Sequence, residues 1–98
     1  MEDLVRAVEN VSDELVERYE DETLDEMLEE VLDITIYSDL RKSYNGARIC
    51  VGFGGTNIYI DTKTGLIEGY WGGKEYTTYG NREAIDYLDS MLQDYWLS

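Results

Sequence analysis

Carboxylate side chains are the residues of this sequence best suited to chemistry, and they cluster in its first third. Many recur at steps of three, four or seven residues, which places them on the solvent side of a helix about 5–6 Å apart. A carboxylate lattice on this scale resembles the spacing of phosphates and can pair with Arg and Lys of a basic protein. The candidate partner-binding acids are Glu9, Asp13, Glu17, Glu20, Asp21, Glu22, Asp25, Glu26, Glu29 and Glu30.

The net charge is concentrated in the same segment. The 98 residues include 22 acids and 8 bases, for a formal charge of −14. Residues 1–33 hold fourteen acids against Arg6 and Arg18, a balance of −12, and residues 34–98 hold eight acids against six bases, a balance of −2. A surface that serves only solubility normally mixes both signs. Two interpretations therefore stay open, a solvated surface and the specific binding of a basic protein.

The sequence offers no catalytic constellation. It has no histidine, so the commonest general base and transition-metal ligand is missing. Asp61 has no evident catalytic partner, and its position beside a turn favours a turn-capping role. Cys50 is the single cysteine, and its apolar neighbours predict a buried thiol. We expect no enzyme activity, no metal and no cofactor.

The glycine-rich segment 52–55 is a weak candidate for phosphate binding. It lacks the Lys-Ser/Thr of a P-loop, and a strand pattern follows where a helix would be needed. A tight turn that uses the conformational freedom of glycine is the preferred interpretation.

Aromatic residues crowd the predicted sheet region and the last helix, where eight of the nine Tyr and both Trp follow residue 34. A nucleic-acid stacking platform is excluded, because this charge cannot neutralise phosphate. Most should cover a small core. Tyr70, Trp71 and Tyr76 are the less favoured candidates for a protein interface.

Amphipathic helices must position the acids. Apolar residues at spacings of three and four predict a helix from about 3 to 19. Thr23-Leu24-Asp25-Glu26 is typical of a capping box, and it predicts a second helix over about 24–32. Asn81 is a plausible N-cap for a terminal helix over about 82–96.

From Ile34 the apolar period changes from 3.6 to 2, which indicates strands. Asn45-Gly46 should lie in a polar connection, Gly54-Gly55 should break the run, and Gly65 and Gly72-Gly73 should close turns. The predicted strands are 34–37, 47–53, 57–61, 66–71 and 74–79.

This order predicts an α+β fold: two N-terminal helices, an antiparallel meander of four or five strands, and a C-terminal helix packed on the sheet. We expect one domain over 1–98, with an acidic helical part at 1–33 and the sheet and terminal helix at 34–98.

No apolar run reaches the roughly 18 residues of a bilayer span, and the acidic N-terminus is unlike a secretory signal. A cytoplasmic protein is expected.

The segment from Gly54 to Gly65, continuing through Gly69-Tyr70-Trp71-Gly72 into the closing acidic helix, resembles small acidic proteins of bacterial phages and conjugative elements. This resemblance implies a mobile-element setting, in which anti-CRISPR and antirestriction inhibitors also occur. The acidic N-terminal third lies outside the similar part.

Two functions follow as expectations. The first is a non-catalytic inhibitor whose acidic, DNA-mimicking helices bind the basic nucleic-acid-binding surface of a host defence nuclease. The alternative is an immunity- or antitoxin-like or regulatory module that binds protein through its aromatic sheet surface. In both, the partner is a protein, with no direct binding of nucleic acid or membrane.

Overall fold

The computed structural model describes residues 2–53 and 56–97, which form three helices and five strands. The predicted break at Gly54-Gly55 lies outside the described residues. The elements are α1 (Glu2–Glu20), α2 (Leu24–Glu30), β1 (Asp33–Ser38), β2 (Tyr44–Phe53), β3 (Thr56–Asp61), β4 (Leu66–Trp71), β5 (Lys74–Tyr79) and α3 (Arg82–Leu97).

The strands form one antiparallel sheet in the order β1-β2-β3-β4-β5, so each strand pairs with its neighbours in sequence. The predicted α+β meander with a C-terminal helix packed on the sheet is therefore confirmed, with five strands. β1 and β5 are the two edges of the sheet. No helix in the described part of the chain is long and apolar enough to cross a membrane.

The helices pack on one side of the sheet, here called the helix face. α1 lies against β3, β4 and β5, α3 lies against β2, and α1 contacts both α2 and α3. A Cβ atom on Gly69 would overlap Val8 of α1, so glycine allows α1 to approach β4 closely. The buried core between the layers consists of Leu4, Val8, Val11, Leu15, Leu24, Met27, Ala47, Ile49, Ile58, Ile60, Ile67, Ala84, Ile85, Leu88 and Leu92.

The other side of the sheet, here called the open face, carries the alternate residues of each strand. No helix packs on it in the described part of the chain. Asp61 lies on this face, and its Oδ1 accepts the amides of Lys63 (2.9 Å) and Thr64 (3.0 Å). The expected turn-capping role of Asp61 is confirmed, and Gly65 takes the predicted positive φ, +79°.

Several boundaries differ from the predictions. α2 ends at Glu30 rather than near 32, because Val31 is already extended with ψ 154°. β2 begins at Tyr44, so Asn45-Gly46 lies within a strand. The loop is therefore 39–43, where Asp39 Oδ1 accepts the amides of Arg41 (2.9 Å) and Ser43 (3.0 Å).

Cys50 was predicted to be buried. It is only partly buried, since it lies on the open face of β2.

The N-cap of α3 is as predicted. Asn81 Oδ1 accepts the amide of Ala84 at 2.9 Å, which satisfies one of the free donors of the first turn. α3 is joined to the sheet by Asp89, whose Oδ1 accepts the hydroxyls of Tyr44 (2.6 Å) and Thr62 (2.7 Å).

Candidate functional site

All ten candidate acids are exposed on α1, on α2 or in the turn between them. On α1 the exposed stripe lies opposite the buried residues Leu4, Val8, Val11 and Leu15, as the 3.6-residue period requires. We call these ten residues the acidic helical surface.

Arg18 is the cation that this surface contains. Its guanidinium lies 3.7 Å from Glu14, 3.6 Å from Glu26 and 3.6 Å from Glu30, so it links α1 to α2. In residues 2–53 and 56–97, no other Lys or Arg, including Arg6 of α1, forms an ion pair with these ten acids. Glu26 and Glu30 are thus partly neutralised, whereas the other eight acids have no cationic partner in the described chain.

Glu9 differs from the rest of the stripe because it also contacts the sheet. The Tyr76 hydroxyl donates to Glu9 Oε1 at 3.2 Å, and Tyr76 packs against the core. This hydrogen bond ties the N-terminal half of α1 to the edge strand β5.

The turn between α1 and α2 is a Schellman motif with a glutamate at its left-handed position. Thr23 N donates to Arg18 O (2.8 Å), and Glu22 N donates to Tyr19 O (3.3 Å). Glu22 has φ +60°, a conformation in which glycine is usual. This turn fixes the direction in which α2 leaves α1.

The predicted capping box at Thr23 is wrong. The Thr23 side chain makes no capping hydrogen bond, and Thr23 has φ −118° and ψ 22°. Two interactions explain the difference. The Thr23 N–H, which a capping box would bond to the Glu26 carboxylate, donates instead to Arg18 O. The Glu26 carboxylate pairs with the Arg18 guanidinium.

The three candidate aromatic residues do not share a face. Tyr70 lies on the open face opposite Glu75, whereas Tyr76 lies opposite Gly69 on the helix face. Trp71 ends β4 beside the Gly72-Gly73 turn and is 55% exposed. The predicted strands 66–71 and 74–79 and the turn between them already imply this separation, because neighbouring residues of a strand point to opposite faces.

The open face instead holds a network that the sequence analysis missed. Arg48 Nη2 contacts Glu68 Oε1 at 3.0 Å, and the Tyr70 hydroxyl donates to the same oxygen at 2.7 Å. The Arg48 guanidinium lies 4.1 Å from the Tyr59 ring centroid, and the Tyr59 and Tyr70 rings meet edge to face at 6.0 Å. These four residues occupy alternate positions that face the same side of neighbouring strands. That pattern was the signal in the sequence that could have identified the network.

The electrostatics of the open face favour the neutral forms of Tyr70 and the neighbouring Tyr37. The hydrogen bond to Glu68, followed by burial, raises the pKa of Tyr70. Burial, followed by the hydrogen bond to Asp61 Oδ2 at 3.0 Å, raises the pKa of Tyr37. Glu68 therefore receives both Arg48 Nη2 and the Tyr70 hydroxyl, whereas Arg48 Nε is buried without a hydrogen-bond partner in the described chain.

The described residues contain no group of three or more His, Cys, Asp or Glu side chains that could hold a metal ion. Comparisons with protein-family models, curated proteins and solved structures give no significant match to this chain.

Proposed function

We propose that this protein is a non-catalytic inhibitor whose acidic helical surface binds the basic nucleic-acid-binding surface of a host defence nuclease, of the anti-CRISPR or antirestriction type. The observation that supports it is the exposure of all ten candidate acids, eight of them without a cationic partner in the described chain. The carboxylates occupy the place of phosphates and exclude DNA or RNA from the nuclease.

The physical basis is charge complementarity. Arg and Lys that normally hold phosphate oxygens form charge-assisted hydrogen bonds with carboxylates equally well. The field of an anionic surface also accelerates encounter with a cationic groove, and this effect weakens as salt is added.

The test uses a charge reversal that leaves the fold undisturbed. Asp13 and Glu17 are exposed, one helical turn apart, and make no ion pair in the described chain. Asp13→Lys/Glu17→Lys should weaken competition with DNA for a panel of CRISPR effector and restriction nucleases by about tenfold or more. Glu26 and Glu30 are unsuitable, since reversing them would also break the contacts of Arg18.

The matched control is Glu75→Lys/Asp94→Lys, which changes the net charge equally at exposed positions outside the acidic helical surface. The control should compete nearly as well as the original protein. Equal loss in both variants, or no nuclease in the panel that binds, would contradict the proposal.

The alternative, a protein-binding module of the immunity or regulatory type, is supported by the uncovered aromatic open face. Tyr59 and Tyr70 lie on it, and Tyr79 at its edge is 78% exposed. If this surface binds the partner, Tyr79→Ala should weaken binding more than Asp13→Lys/Glu17→Lys does, and added salt should have little effect.

A further inference from the structure

The edge strand β1 is the less covered of the two sheet edges, although its register with β2 shifts between Ile36 and Ser38. It pairs with β2 alone, so alternate N–H and C=O groups on its outer side have no strand to bond in the described chain. Its sequence, Asp33 to Ser38, contains no Lys or Pro, the residues that commonly block such an edge. The other edge, β5, carries Lys74 and lies against α1.

Apolar side chains are exposed along the same edge. Leu32, immediately before β1, is 70% exposed, and Ile34 is 36% exposed although it lies opposite the buried Ile49. At the far end, Leu40 is fully exposed. There the indole of Trp96, which is 38% exposed, donates to Lys42 O at 3.1 Å. Burying these groups against a partner would be favourable, because it removes apolar surface from water.

The two ends of β1 carry opposite charges. Glu29 and Asp33 lie at its beginning, whereas at its end Arg41 and Lys42 outnumber Asp39, whose Oδ1 accepts two amides of the same loop. These five charged residues are all exposed. Antiparallel pairing of two β1 strands about a twofold axis would place the acidic end of each copy against the basic end of the other. A parallel arrangement would place like charges together.

From this complementarity we propose that the occupant of the β1 edge is a second copy of this chain, paired antiparallel through β1 so that the sheet continues across both copies. In this arrangement Leu32 and Ile34 of each copy become buried against the other copy. The inference does not depend on the proposed function, because Glu29 is the one member of the acidic helical surface placed at this contact and the other nine stay exposed.

Overall repulsion between the copies does not prevent this contact at physiological salt. Each chain has a formal charge of −14, but at 0.15 M salt charges separated by more than about 8 Å are largely screened. Local pairs at the strand ends therefore decide the arrangement, and the assay belongs at that ionic strength.

Sedimentation equilibrium of the full chain tests the contact. The original protein should show a reversible dimer, and Ile34→Lys should raise its dissociation constant by about tenfold or more, equivalent to roughly 1.4 kcal/mol. Leu32→Lys repeats the test at a more exposed site with less risk to the fold, which circular dichroism checks. Tyr79→Lys, on the opposite edge and 78% exposed, is the matched control and should leave dimerisation unchanged.

A charge exchange tests the antiparallel direction. Arg41→Glu/Lys42→Glu and Glu29→Lys/Asp33→Lys should each dimerise poorly alone, because like charges then meet at both ends. An equimolar mixture of the two variants should recover association as a heterodimer. A monomer at every concentration, equal loss in Tyr79→Lys, or no recovery in the mixture would overturn the proposal.

Discussion

At the scale of single residues, the shape of the acidic helical surface depends on Glu22 and Arg18, which fix the path of the chain from α1 to α2. Glu22 adopts a left-handed conformation that costs a residue with a side chain about 1–2 kcal/mol relative to glycine. Arg18 places one cation where three carboxylates converge. Both residues set how α2 leaves α1, and only Glu22 does so under backbone strain.

Glu22→Gly should therefore stabilise the protein by about 0.5–1 kcal/mol, since the relief of strain exceeds the added backbone entropy of glycine. Thermal or urea unfolding measures the change. Glu22→Gln is the control: it removes the same charge but keeps the strain, so a gain of equal size in both variants would assign the effect to charge instead.

Tyr44 provides a residue-scale prediction on alkaline stability. Burial, followed by its hydrogen bond to Asp89, raises the pKa of Tyr44 above its usual value. Above pH about 10 an unfolded tyrosine loses its proton while folded Tyr44 keeps it, so the folded state binds more protons and its stability falls as pH rises. The contribution is fully present below that pH.

Tyr44→Phe should consequently reduce the slope of unfolding free energy against pH above about 10, even though it lowers stability at neutral pH. Urea unfolding at several alkaline pH values gives the slope. Tyr79→Phe at the exposed edge should leave it unchanged, and an unchanged slope in Tyr44→Phe would show that Tyr44 ionises as readily in the fold as outside it.

At the scale of elements, the question is what holds the short helix α2 in place. Met27 is 4% exposed and belongs to the core, whereas the partners of Arg18 are 64% and 70% exposed at Glu26 and Glu30. Surface ion pairs contribute about 0–1 kcal/mol, and truncating a buried methionine costs about 2–5 kcal/mol. Apolar burial should dominate.

Met27→Ala should cost at least about 2 kcal/mol and Arg18→Gln less than about 1 kcal/mol. Chemical unfolding gives both values, and hydrogen exchange of α2 amides shows whether the loss is local. An Arg18→Gln variant as unstable as Met27→Ala would mean that the ion pairs, and not the core, dock this helix.

Periodicity predicted the elements well because α1, α3 and the later strands each follow one period with clear turn signals. It could not place the first hairpin, since the turn at 39–43 depends on Asp39 accepting two amides and on Lys42 with φ +62°. Gly46, expected in that loop, is instead in β2, where its Cβ position lies 3.0 Å from the Lys63 Cβ. That neighbour comes from a distant part of the sequence.

For the candidate site, too, the sequence predicted the local features but not the contacts between distant segments. Helical period placed most of the ten acids on the solvent side, and the structure shows all ten exposed, with Asp21 and Glu22 in the turn between the helices. The separation of Tyr70 from Tyr76 follows from strand alternation across the predicted Gly72-Gly73 turn. The Arg18 contacts to Glu26 and the Arg48 network require tertiary pairing, which local patterns do not fix.

At the scale of the whole molecule, charge is segregated. The helices of the first third hold nearly all of the net charge, on one side of the sheet, while Arg41, Lys42 and Lys63 lie at the turns of β1–β2 and β3–β4. Such an arrangement orients the molecule in the field of a cationic partner. The same arrangement also places like charges close together on α1 and α2, where they repel one another.

That repulsion gives a prediction that needs no partner. Like charges at i,i+4 on a helix cost roughly 0.2–0.5 kcal/mol per pair, and salt screens exposed charges over about 10 Å at 0.1 M. Adding NaCl at neutral pH should therefore raise the melting temperature.

The reversal Asp13→Lys/Glu17→Lys should raise stability at low salt, because it creates attractive pairs within the stripe. The melting temperature of this variant should also rise less with added salt. Glu75→Lys/Asp94→Lys, equal in net charge, should reduce this salt dependence less. If salt lowers the melting temperature of the original protein, attractive pairs outweigh repulsion across its surface, and the acidic helical surface is not the strongly anionic field that binding a nuclease groove requires.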